Sequence, residues 1–571
     1  MAGPLPRNAD VAEQFERLAD LLELEGAESF RLIAYRRAAQ RMRESAGSIA
    51  ELALAGRAKE ISGIGKTIEE KIVQIVESGT IEALAVREAR IPPDVALFMR
   101  LPGLGPKSAA RLWRELGITT LDELRAAATE ERLRALQGFG AKTEARILEA
   151  LADTAAAEPV RPLLGQGLPA VLAVVAALRE HPGVDLVSEA GSVRRRRETF
   201  RDLDVIATAA DPAALTEHFT RLAWVEAVAA HGPTKATVVS NDGLRFDLRV
   251  VPPESYGNLL QHFTGSKEHN VALREAAVRV GLSVSEYGVL RVESGELFRT
   301  RSEEALYDHL GYQFVPPELR ENAGELEAAR RGELPALVEV GDLRGDLHSH
   351  STWSADGKST LEEMALAAQA RGYSYLAVTD HSHYLREERL DAQTAEIDRL
   401  NERLAPFRLV KGIEVNIRAD GSLDVSDEDL AGREWVLASL HTAFDRSPTE
   451  RILGAMENPH VDCIGHPTAR KLNRRRGADV DLDRIFAKAL ETGTYLELNS
   501  QPDRLDLRDT HARAAGEAGV LLAVSSDAHR TEALAYAEIG VSQARRAWLT
   551  RGQVLNTRTW PQLRKLTKRD S

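Results

Sequence analysis

The spacing of apolar residues divides the chain into a helical first part and a mixed remainder. Residues 1–155 show helical patterns almost throughout, with little strict alternation. Short runs of β-branched residues begin near residue 185, in segments such as LDVIAT and LRFDLRVV, and helical patterns separate them. We therefore predict a helical N-terminal region followed by an α/β block.

From residue 343 onward, strand-like runs alternate with helical segments. The runs are YLAVTD, LVKGIEVNI, WVLASLH, VDCIGH, TYLELNS and VLLAVSSDAH, and most of them end in His, Asp, Glu or Asn. Ligand-type residues at the C-terminal ends of successive strands are typical of a (β/α) barrel with its site on one face. The charged, mixed segment before this block predicts a linker that contains a helix.

Three segments in the helical region repeat an apolar-x-Gly-apolar-Gly core: ISGIGKT, LPGLGPKS and LQGFGAKT. The glycines permit a tight turn, and the helix that follows offers free N–H groups to a phosphate. This is the logic of the helix-hairpin-helix motif, which holds the DNA backbone without reading bases. We predict DNA contacts at Gly63, Gly65, Gly103, Gly105, Lys107, Gly138, Gly140 and Lys142.

Composition narrows the class of protein. A chain of 571 residues favours three to five compact units, and 43% hydrophobic residues suffice for a core in each. The single cysteine, Cys463, excludes an intramolecular disulfide and a Cys-based zinc finger. No signal peptide or bilayer-spanning run is visible, so we expect a cytoplasmic protein without membrane contact. The net charge of -13 counts against nucleic-acid binding, but local basic clusters can dominate a contact surface.

Three carboxylates form the first candidate metal site. Asp202 and Asp204 stand two apart in a predicted strand, so both side chains point to one face, and Asp247 lies in a second alternating strand. Convergent carboxylates of this kind can hold two Mg²⁺ ions roughly 3.5–4 Å apart for an in-line phosphoryl transfer. Upstream, GSVRRRR offers a Gly-Ser turn and arginines that can bind phosphates.

Residues 1–320 resemble the family X DNA polymerases. The resemblance rests on SGIGKTIEEKI, GSVRRRRETFRDLDVI, FTGSKEHN, GLSVSEYGV and YDHLGYQFVPPELREN, which match in order and spacing. It implies that Asp202, Asp204 and Asp247 hold Mg²⁺ or Mn²⁺, and that Asp247, assisted by Arg245, deprotonates the primer 3′-hydroxyl. The nucleotide-binding residues that it implies are Gly191, Ser192 and Arg195 for the triphosphate, Phe263, Gly265 and Asn270 for the incoming nucleotide, and Arg274 for the template strand.

The sequence departs from the family pattern at two positions, and one lysine suggests a further activity. The family often has Tyr-Phe before Thr-Gly-Ser, where this chain has His262-Phe263, so sugar discrimination is left open. The family's usual glycine before Asp-x-Asp is Arg201 here. Lys71 falls where some relatives form a Schiff base with an abasic sugar, and the alternative is a simple phosphate contact on a hairpin helix.

Histidines and carboxylates form the second candidate metal site. His348 and His350 form a His-x-His pair, and seven further ligand-type residues follow at the ends of strand-like runs. Imidazoles mixed with carboxylates suit Zn²⁺, Mn²⁺ or Fe²⁺. The stretch resembles the PHP (polymerase and histidinol phosphatase) domain, a distorted barrel with a trinuclear metal site. That family's nine ligands match His348, His350, Asp356, His381, Glu414, His441, His466, Asp527 and His529.

A basic cluster, ARKLNRRRG, follows directly after the ligand at position 466. It includes Arg470, Lys471 and Arg474, which we predict to hold a DNA strand, and the alternative is a solvated basic loop.

The two resemblances together predict a multidomain protein with helix-hairpin-helix domains, an α+β nucleotidyltransferase palm and a C-terminal distorted (β/α)7 barrel. The predicted boundaries are 1–85 and 86–155 for the helical domains, 156–255 for the palm, 256–320 for nucleotide selection, 321–342 for the linker and 343–571 for the PHP domain.

The order of domains implies a DNA polymerase that fills short gaps during repair. The PHP domain would add a metal-dependent 3′→5′ exonuclease, with 3′-phosphatase or abasic-site endonuclease action as further options. The implied partners are gapped or primer-template DNA and deoxynucleoside triphosphates, and we expect a monomer. Three alternatives stay open: a PHP domain that acts on small phosphomonoesters, a PHP domain whose metals are structural, and a DNA-binding scaffold with decayed sites.

Overall fold

The computed structural model describes residues 5–6, 8–27, 29–45, 48–61, 63–99, 101, 104–136, 138–154, 161–385 and 388–568. The chain forms two compact units, Met1–Val160 and Arg161–Ser571, here called unit 1 and unit 2. None of the described helices is both long enough and apolar enough to cross a membrane.

Unit 1 is helical, as the sequence predicts. One hydrophobic core runs through it and includes Phe15, Ile72, Phe98 and Leu112, all fully buried. Its helices are α1 (Asn8–Leu24), α2 (Ser29–Glu44), α3 (Ile49–Leu54), α4 (Lys66–Ser78), α5 (Glu82–Glu88), α6 (Pro93–Phe98), α7 (Pro106–Leu116), α8 (Leu121–Thr129) and α9 (Ala141–Thr154).

Unit 2 begins with a five-stranded sheet that packs against helices. The strand order is β1-β2-β5-β4-β3, and only the β2–β5 pair is parallel among the described strands. The elements are α10 (Leu164–Arg179), β1 (Val184–Glu189), α11 (Gly191–Arg194), β2 (Leu203–Ala209), α12 (Pro212–Thr220), β3 (Val225–His231), β4 (Lys235–Ser240) and β5 (Arg245–Val250).

Strand β3 does not follow from the hydrophobic pattern. Six of its seven residues are exposed, so it carries little apolar and polar alternation. Its pairing with β4 is what makes it a strand.

The following segment adds a small antiparallel sheet and helices. The elements are α13 (Tyr256–Thr264), α14 (Lys267–Val278), β6 (Leu282–Ser285), β7 (Gly288–Arg291), β8 (Leu297–Phe298) and α15 (Glu303–His309).

The predicted linker is part of the folded core rather than a free tether. It contains α16 (Glu325–Arg331), so the expected helix is present. Leu326, Leu334 and Leu337 of this segment pack against a buried cluster that includes Tyr307, and Trp548 of the C-terminal region joins the same cluster. The high charge of the segment hides this packing in the sequence.

Seven parallel strands form the C-terminal barrel, in the sequential order β9 to β15. A bridge between Ser349 and Ala528 links the segments that follow the first and last strands, so the sheet nearly closes. The strands are β9 (Gly345–Asp346), β10 (Tyr375–Val378), β11 (Arg408–Asn416), β12 (Trp435–Ser439), β13 (Cys463–Gly465), β14 (Tyr495–Asn499) and β15 (Leu522–Ser525).

Helices surround the barrel, as expected for alternating strands and helices. They are α17 (Leu361–Ala370), α18 (Glu388–Leu404), α19 (Asp427–Ala431), α20 (Pro448–Glu457), α21 (Leu482–Thr492), α22 (Asp509–Ala518), α23 (Tyr536–Arg546) and α24 (Trp560–Arg564). The indole of Trp435 fills part of the core and donates to the Leu347 carbonyl at 2.9 Å.

A buried ion triad joins three segments of unit 2. Glu303 accepts from Arg320 at 2.5 Å and from Arg194 at 2.6 Å, and the Arg320 side chain is fully buried. Burial alone would raise the pKa of Glu303, but Arg320 and Arg194 outweigh it and lower that pKa to about 2. The triad therefore stabilises the fold above about pH 4.5, and this contribution is lost as the pH falls towards 2.

We expect Glu303→Gln to lower the free energy of unfolding at pH 7 by about 3–5 kcal/mol, because Arg320 would stay buried without a full counter-charge. Urea unfolding followed by tryptophan fluorescence measures the difference. The neighbouring Glu304 is exposed, so Glu304→Gln serves as the control and should change little. An equal stability of Glu303→Gln and the parent protein would contradict the assignment.

Candidate functional site

The three predicted carboxylates meet on the sheet of unit 2. Asp204 on β2 lies directly opposite Asp247 on β5 in the parallel register. Asp202 immediately precedes β2 and does not lie inside a strand, which corrects the prediction in that detail. Parallel pairing thus brings together side chains that are 43 positions apart in the sequence.

The Gly-Ser turn at the start of α11 lies against this carboxylate site. A Cβ atom on Gly191 would stand only 2.2 Å from Asp204 Oδ2, and the glycine has a φ of +64°. Only glycine therefore lets the turn approach Asp204 so closely.

The three carboxylates are close enough for their negative charges to repel one another. Burial, followed by the charges of Asp202 and Asp247, raises the pKa of Asp204 to about 6. Arg201 donates to Asp202 at 3.0 Å, and Arg245 donates weakly to Asp247 at 3.5 Å. Clustered carboxylate oxygens are the ligands that Mg²⁺ and Mn²⁺ take, so the residues fit the predicted ions.

The predicted nucleotide-binding residues surround the start of α14. Asn270 donates to the His262 carbonyl at 2.8 Å, and Arg274 contacts the His262 ring at 2.9 Å. The guanidinium of Arg249 lies over the Phe263 ring, 4.3 Å from its centre. A Cβ atom on Gly265 would lie 3.0 Å from the guanidinium of Arg195, which places α11 beside this segment.

The nine predicted ligands of the second site converge at the C-terminal ends of the barrel strands. Glu414 is at their centre, because its two carboxylate oxygens contact five imidazoles. The contacts are His381 Nδ1 at 2.7 Å, His466 Nε2 at 3.2 Å, His441 Nε2 at 3.4 Å, His348 Nε2 at 3.5 Å and His350 Nε2 at 3.6 Å.

Two aspartates complete the cluster. Asp527 Oδ1 lies 3.3 Å from His350 Nε2, and Asp356 Oδ2 lies 3.3 Å from His381 Nε2 and 3.2 Å from His529 Nε2. Three overlapping groups of three residues each bring their ligand atoms within 4.8 Å of one another: His348, His350 and Glu414; His381, Glu414 and His441; and His350, His381 and His529.

Polar atoms of this cluster fit metal ions. Both oxygens of Glu414 are buried without a hydrogen-bond partner among the described residues, as are Nδ1 of His350 and Nδ1 of His466. Burial lowers the pKa of His350 and of His466 to about 3, so both rings are neutral at pH 7, as a ligand imidazole must be. The cluster is a candidate metal centre.

Sequence comparisons place the chain among known proteins. Residues 6–81 match the family described as helix-hairpin-helix domain, and residues 56–116 and 95–153 match the SAM-like helix-hairpin-helix tandem. Residues 259–321 match the DNA polymerase beta thumb, and residues 346–501 match the PHP domain. The DNA polymerase/3′-5′ exonuclease PolX of Bacillus subtilis is 38% identical over 98% of this chain and 99% of its own length.

The chain belongs to the family X DNA polymerases that carry a C-terminal PHP domain. Two more distant relatives each share one part of it. DNA polymerase lambda of Rattus norvegicus is 25% identical over 55% of this chain and 56% of that protein. A probable phosphatase of Thermoanaerobacter sp. strain X514 is 30% identical over 37% of this chain and 89% of that protein.

Residues outside the predicted ligand set orient the PHP ligands of this family X polymerase. Glu497 accepts from His348 Nδ1 at 2.7 Å, and Asn416 accepts from His441 Nδ1 at 2.6 Å. Such outer partners fix the tautomer and the ring angle of a ligating histidine. The sequence held a signal for Asn416, which stands two residues after Glu414 and so shares its strand face.

A cavity of about 710 Å³ opens over the PHP cluster. Its walls include Leu163, which directly precedes α10, and Gln166 of α10. Lys471, Arg504 and Tyr536 also line it. Lys471 of the basic cluster thus lies at the cavity wall, and its ammonium pairs with Asp503 at 2.7 Å.

The remaining members of the basic cluster lie in different surroundings. Arg474 is exposed. Arg470 is largely buried, and its guanidinium contacts the Glu198 carboxylate and the Leu505 carbonyl. A guanidinium held in this way is not free to bind a DNA strand, so the prediction for Arg470 is corrected: it joins the barrel to the polymerase part of unit 2.

The three predicted hairpins share one geometry. Ile64, Leu104 and Phe139 each donate a backbone hydrogen bond of 3.0 Å to the residue three positions earlier. Gly65 and Gly105 cap α4 and α7, and Gly140 immediately precedes α9. A Cβ atom on any of these three glycines would meet open space, so a backbone phosphate has room there.

The other predicted hairpin residues lie as follows. Gly63 and Gly138 both have a φ of +92°, which glycine adopts without strain. Lys107 is exposed on α7, and Lys71 is half-buried on α4. Gly103 and the side chain of Lys142 lie outside the described residues.

We expect Asp204→Asn to raise the melting temperature of the metal-free protein at pH 7.5. Asp204 is ionised above about pH 6. Its burial and its two acidic neighbours then lower the free energy of unfolding by up to about 3 kcal/mol, and asparagine, which carries no charge, removes this loss. At pH 5 the folded carboxyl is largely protonated but the unfolded one is still ionised, so the difference should fall to about half of its value at pH 7.5. Scanning calorimetry in chelator measures it. Asp242→Asn, at an exposed position, is the control, and a lower melting temperature for Asp204→Asn at pH 7.5 would contradict the charge assignment.

We expect Glu497→Gln to weaken metal binding at the PHP cluster about 10–100-fold, because His348 loses the carboxylate that orients its ring. Isothermal titration of the chelator-treated protein with Mn²⁺ measures the affinity. Glu491→Gln changes an exposed residue of α21 and should leave the affinity unchanged. Equal affinities for Glu497→Gln and the parent protein would show that Glu497 does not support the ligand.

Proposed function

We propose that this protein fills short gaps in DNA during repair and also trims 3′ ends. The polymerase part of unit 2 would add deoxynucleotides, and the PHP barrel would act as a metal-dependent 3′→5′ exonuclease. The observation that carries the proposal is the presence of two separate ligand sets, one of three carboxylates and one of nine residues that include Glu414 at the centre. The full-length likeness to a relative named DNA polymerase/3′-5′ exonuclease supports it.

At the polymerase site, Asp202, Asp204 and Asp247 would hold Mg²⁺ or Mn²⁺. Such ions, when bound, stabilise the attacking and leaving oxygens of a phosphoryl transfer. Asp247 would accept the proton of the primer 3′-hydroxyl. Arg245, which donates to Asp247 Oδ2, and Thr237, which donates to its Oδ1, would orient the carboxylate for this step.

The residues around this site would bind and select the nucleotide. Ser192 and Arg195 beside the Gly191 turn would hold the triphosphate. Phe263, Gly265 and Asn270 would contact the nucleotide, and Arg274, which now contacts His262, would reach the template strand. These roles are supported by the placement of α11 beside the 263–274 segment.

At the PHP site, the nine ligands would hold up to three Mn²⁺, Zn²⁺ or Fe²⁺ ions. Such ions, when bound, polarise a phosphodiester and lower the pKa of water. Lys471 on the cavity wall would bind a backbone phosphate, because it is a cation within the same cavity as the ligands. The open hairpin glycines of unit 1 would hold the DNA backbone.

A second candidate activity for the barrel is the hydrolysis of small phosphomonoesters. The observation that favours it is the likeness of the barrel to proteins named probable phosphatases. Hydrolysis of a soluble phosphomonoester by the full chain, without release of nucleotides from a DNA 3′ end, would favour this alternative.

Four further expectations stay predictions. They are the lyase action of Lys71, the domain boundaries, a monomeric state and a cytoplasmic location.

We expect the two activities to separate by mutation. Asp202→Ala with Asp204→Ala should abolish nucleotide incorporation and leave nuclease activity within about twofold, whereas His348→Ala should do the reverse, because each change removes ligands from one site only. Primer extension and 3′-end degradation on one labelled primer-template measure both activities.

Metal content distinguishes a lost site from a lost fold in these variants. His348→Ala should lose metal from the PHP cluster while the circular dichroism spectrum stays that of the parent protein. Loss of both activities in either variant, with the fold intact, would contradict the two-site account.

A further inference from the structure

Helix α23 of the barrel contacts the part of unit 2 that carries the polymerase residues. Gln543 donates to the Arg196 carbonyl at 2.8 Å. Arg545 donates to Glu318 at 2.7 Å. Arg196 directly follows Arg195 of the proposed triphosphate-binding residues, and Glu318 lies within the segment that matches the polymerase thumb, so one helix of the PHP domain touches both.

Arg546, the last residue of this helix, is at the centre of the contact. Only 2% of its side chain is exposed. Its Nε and Nη2 donate to one carboxylate oxygen of Asp509, at 2.9 and 2.6 Å. Its Nη1 donates to the Arg195 carbonyl at 2.7 Å and to Glu321 at 3.0 Å. Asp509 therefore fixes the guanidinium from the barrel side, and the other end reaches the polymerase side.

Glu321 carries the contact onward to the side chain of Arg195. The same Oε1 that accepts from Arg546 also accepts from Arg195 Nε, at 3.1 Å. The Thr264 carbonyl accepts from Arg195 Nη1. Neither contact uses Nη2 of Arg195, so the guanidinium is held at Nε and Nη1 and keeps the Nη2 donors for a phosphate.

Charges around this relay favour an anionic ligand. Arg195, Arg197 and Arg546 contribute three positive charges, and Glu321 and Asp509 contribute two negative charges. A net positive charge remains, and solvent screens it weakly at Arg546 and Arg195, whose side chains are 2% and 13% exposed. An arginine held in one orientation also loses less conformational freedom on binding than a free one.

We propose that Arg546 of the PHP domain is a positioning residue of the polymerase, which holds Arg195 through Glu321 in the orientation that binds the triphosphate. This inference rests on the proposed role of Arg195. It makes the barrel a structural part of the polymerase site, in addition to its own activity.

The test is steady-state kinetics of primer extension by the full chain. Arg546→Met keeps most of the side-chain length and removes the donors. We expect the KM for the deoxynucleoside triphosphate to rise about tenfold, the typical effect of losing a charge-assisted hydrogen bond. The kcat should change less, and nuclease activity should stay within about twofold. Arg546→Lys, which keeps the charge and fewer donors, should give an intermediate KM.

Arg545→Met is the matched control. It removes the neighbouring ion pair with Glu318 on the same helix, but it does not touch Arg195 or Glu321. Its KM should equal that of the parent protein, and an equal rise in both variants would contradict a specific role for Arg546. Glu321→Gln replaces Arg546→Met if the latter loses nuclease activity through misfolding, and the same rise in KM is expected.

Arg195→Ala separates this inference from the proposed function. A rise in KM for Arg195→Ala, but not for Arg546→Met and Glu321→Gln, would overturn the inference and leave the role of Arg195 intact. An unchanged KM for Arg195→Ala would overturn both. The double variant Arg195→Ala with Arg546→Met should show no further rise over Arg195→Ala, because both changes act on one contact, and additive effects would contradict the relay.

Discussion

Parallel strand pairing is the constraint on which both sites depend. In a parallel pair, residues in register project side by side, and the C-terminal ends of neighbouring strands share one edge. The only parallel pair described in the five-stranded sheet is the one that places Asp204 opposite Asp247. The barrel repeats the arrangement in six parallel pairs and brings the eight other ligands around Glu414. Parallel strand pairing thus brings together metal-ligand residues that are far apart in the sequence.

Both sites keep buried groups that the protein alone does not satisfy. At the first site the excess is charge, since three carboxylates share a partly buried space and the pKa of Asp204 rises to about 6. At the second site the excess is ligand atoms, since the described surroundings of the buried Glu414 oxygens are imidazole nitrogens with no well-aligned hydrogen bond. Unpaired buried charge and unpaired polar atoms are costly, and divalent cations satisfy both. The surrounding ion pairs, such as Glu303 with Arg320, fix the elements that carry these groups.

The sequence predicted the ligands better than their surroundings. The nine PHP ligands came from the resemblance together with the strand-end pattern, since most of them follow an apolar run, whereas the strand periodicity applied to Asp204 but not to Asp202, which precedes β2. Glu497 was missed, since a buried glutamate that orients a histidine looks like any other charged residue in a strand. Arg470 was misplaced because charge alone does not distinguish a solvated basic loop from an ion pair with Glu198, which is 272 positions away. The charged segment at 321–342 was taken as a linker for the same reason, although its leucines are packed.

The C-terminal barrel and the polymerase part belong to one compact unit, and polar contacts of Arg470, Arg545 and Arg546 connect them. The central claim is that this unit holds two distinct metal centres. A crystal structure from crystals grown with Mn²⁺, with anomalous scattering recorded at the manganese edge, tests it most directly. The account predicts anomalous peaks between Asp202, Asp204 and Asp247 and separate peaks around Glu414. Peaks at only one of the two places, or none within coordination distance of these residues, would contradict it.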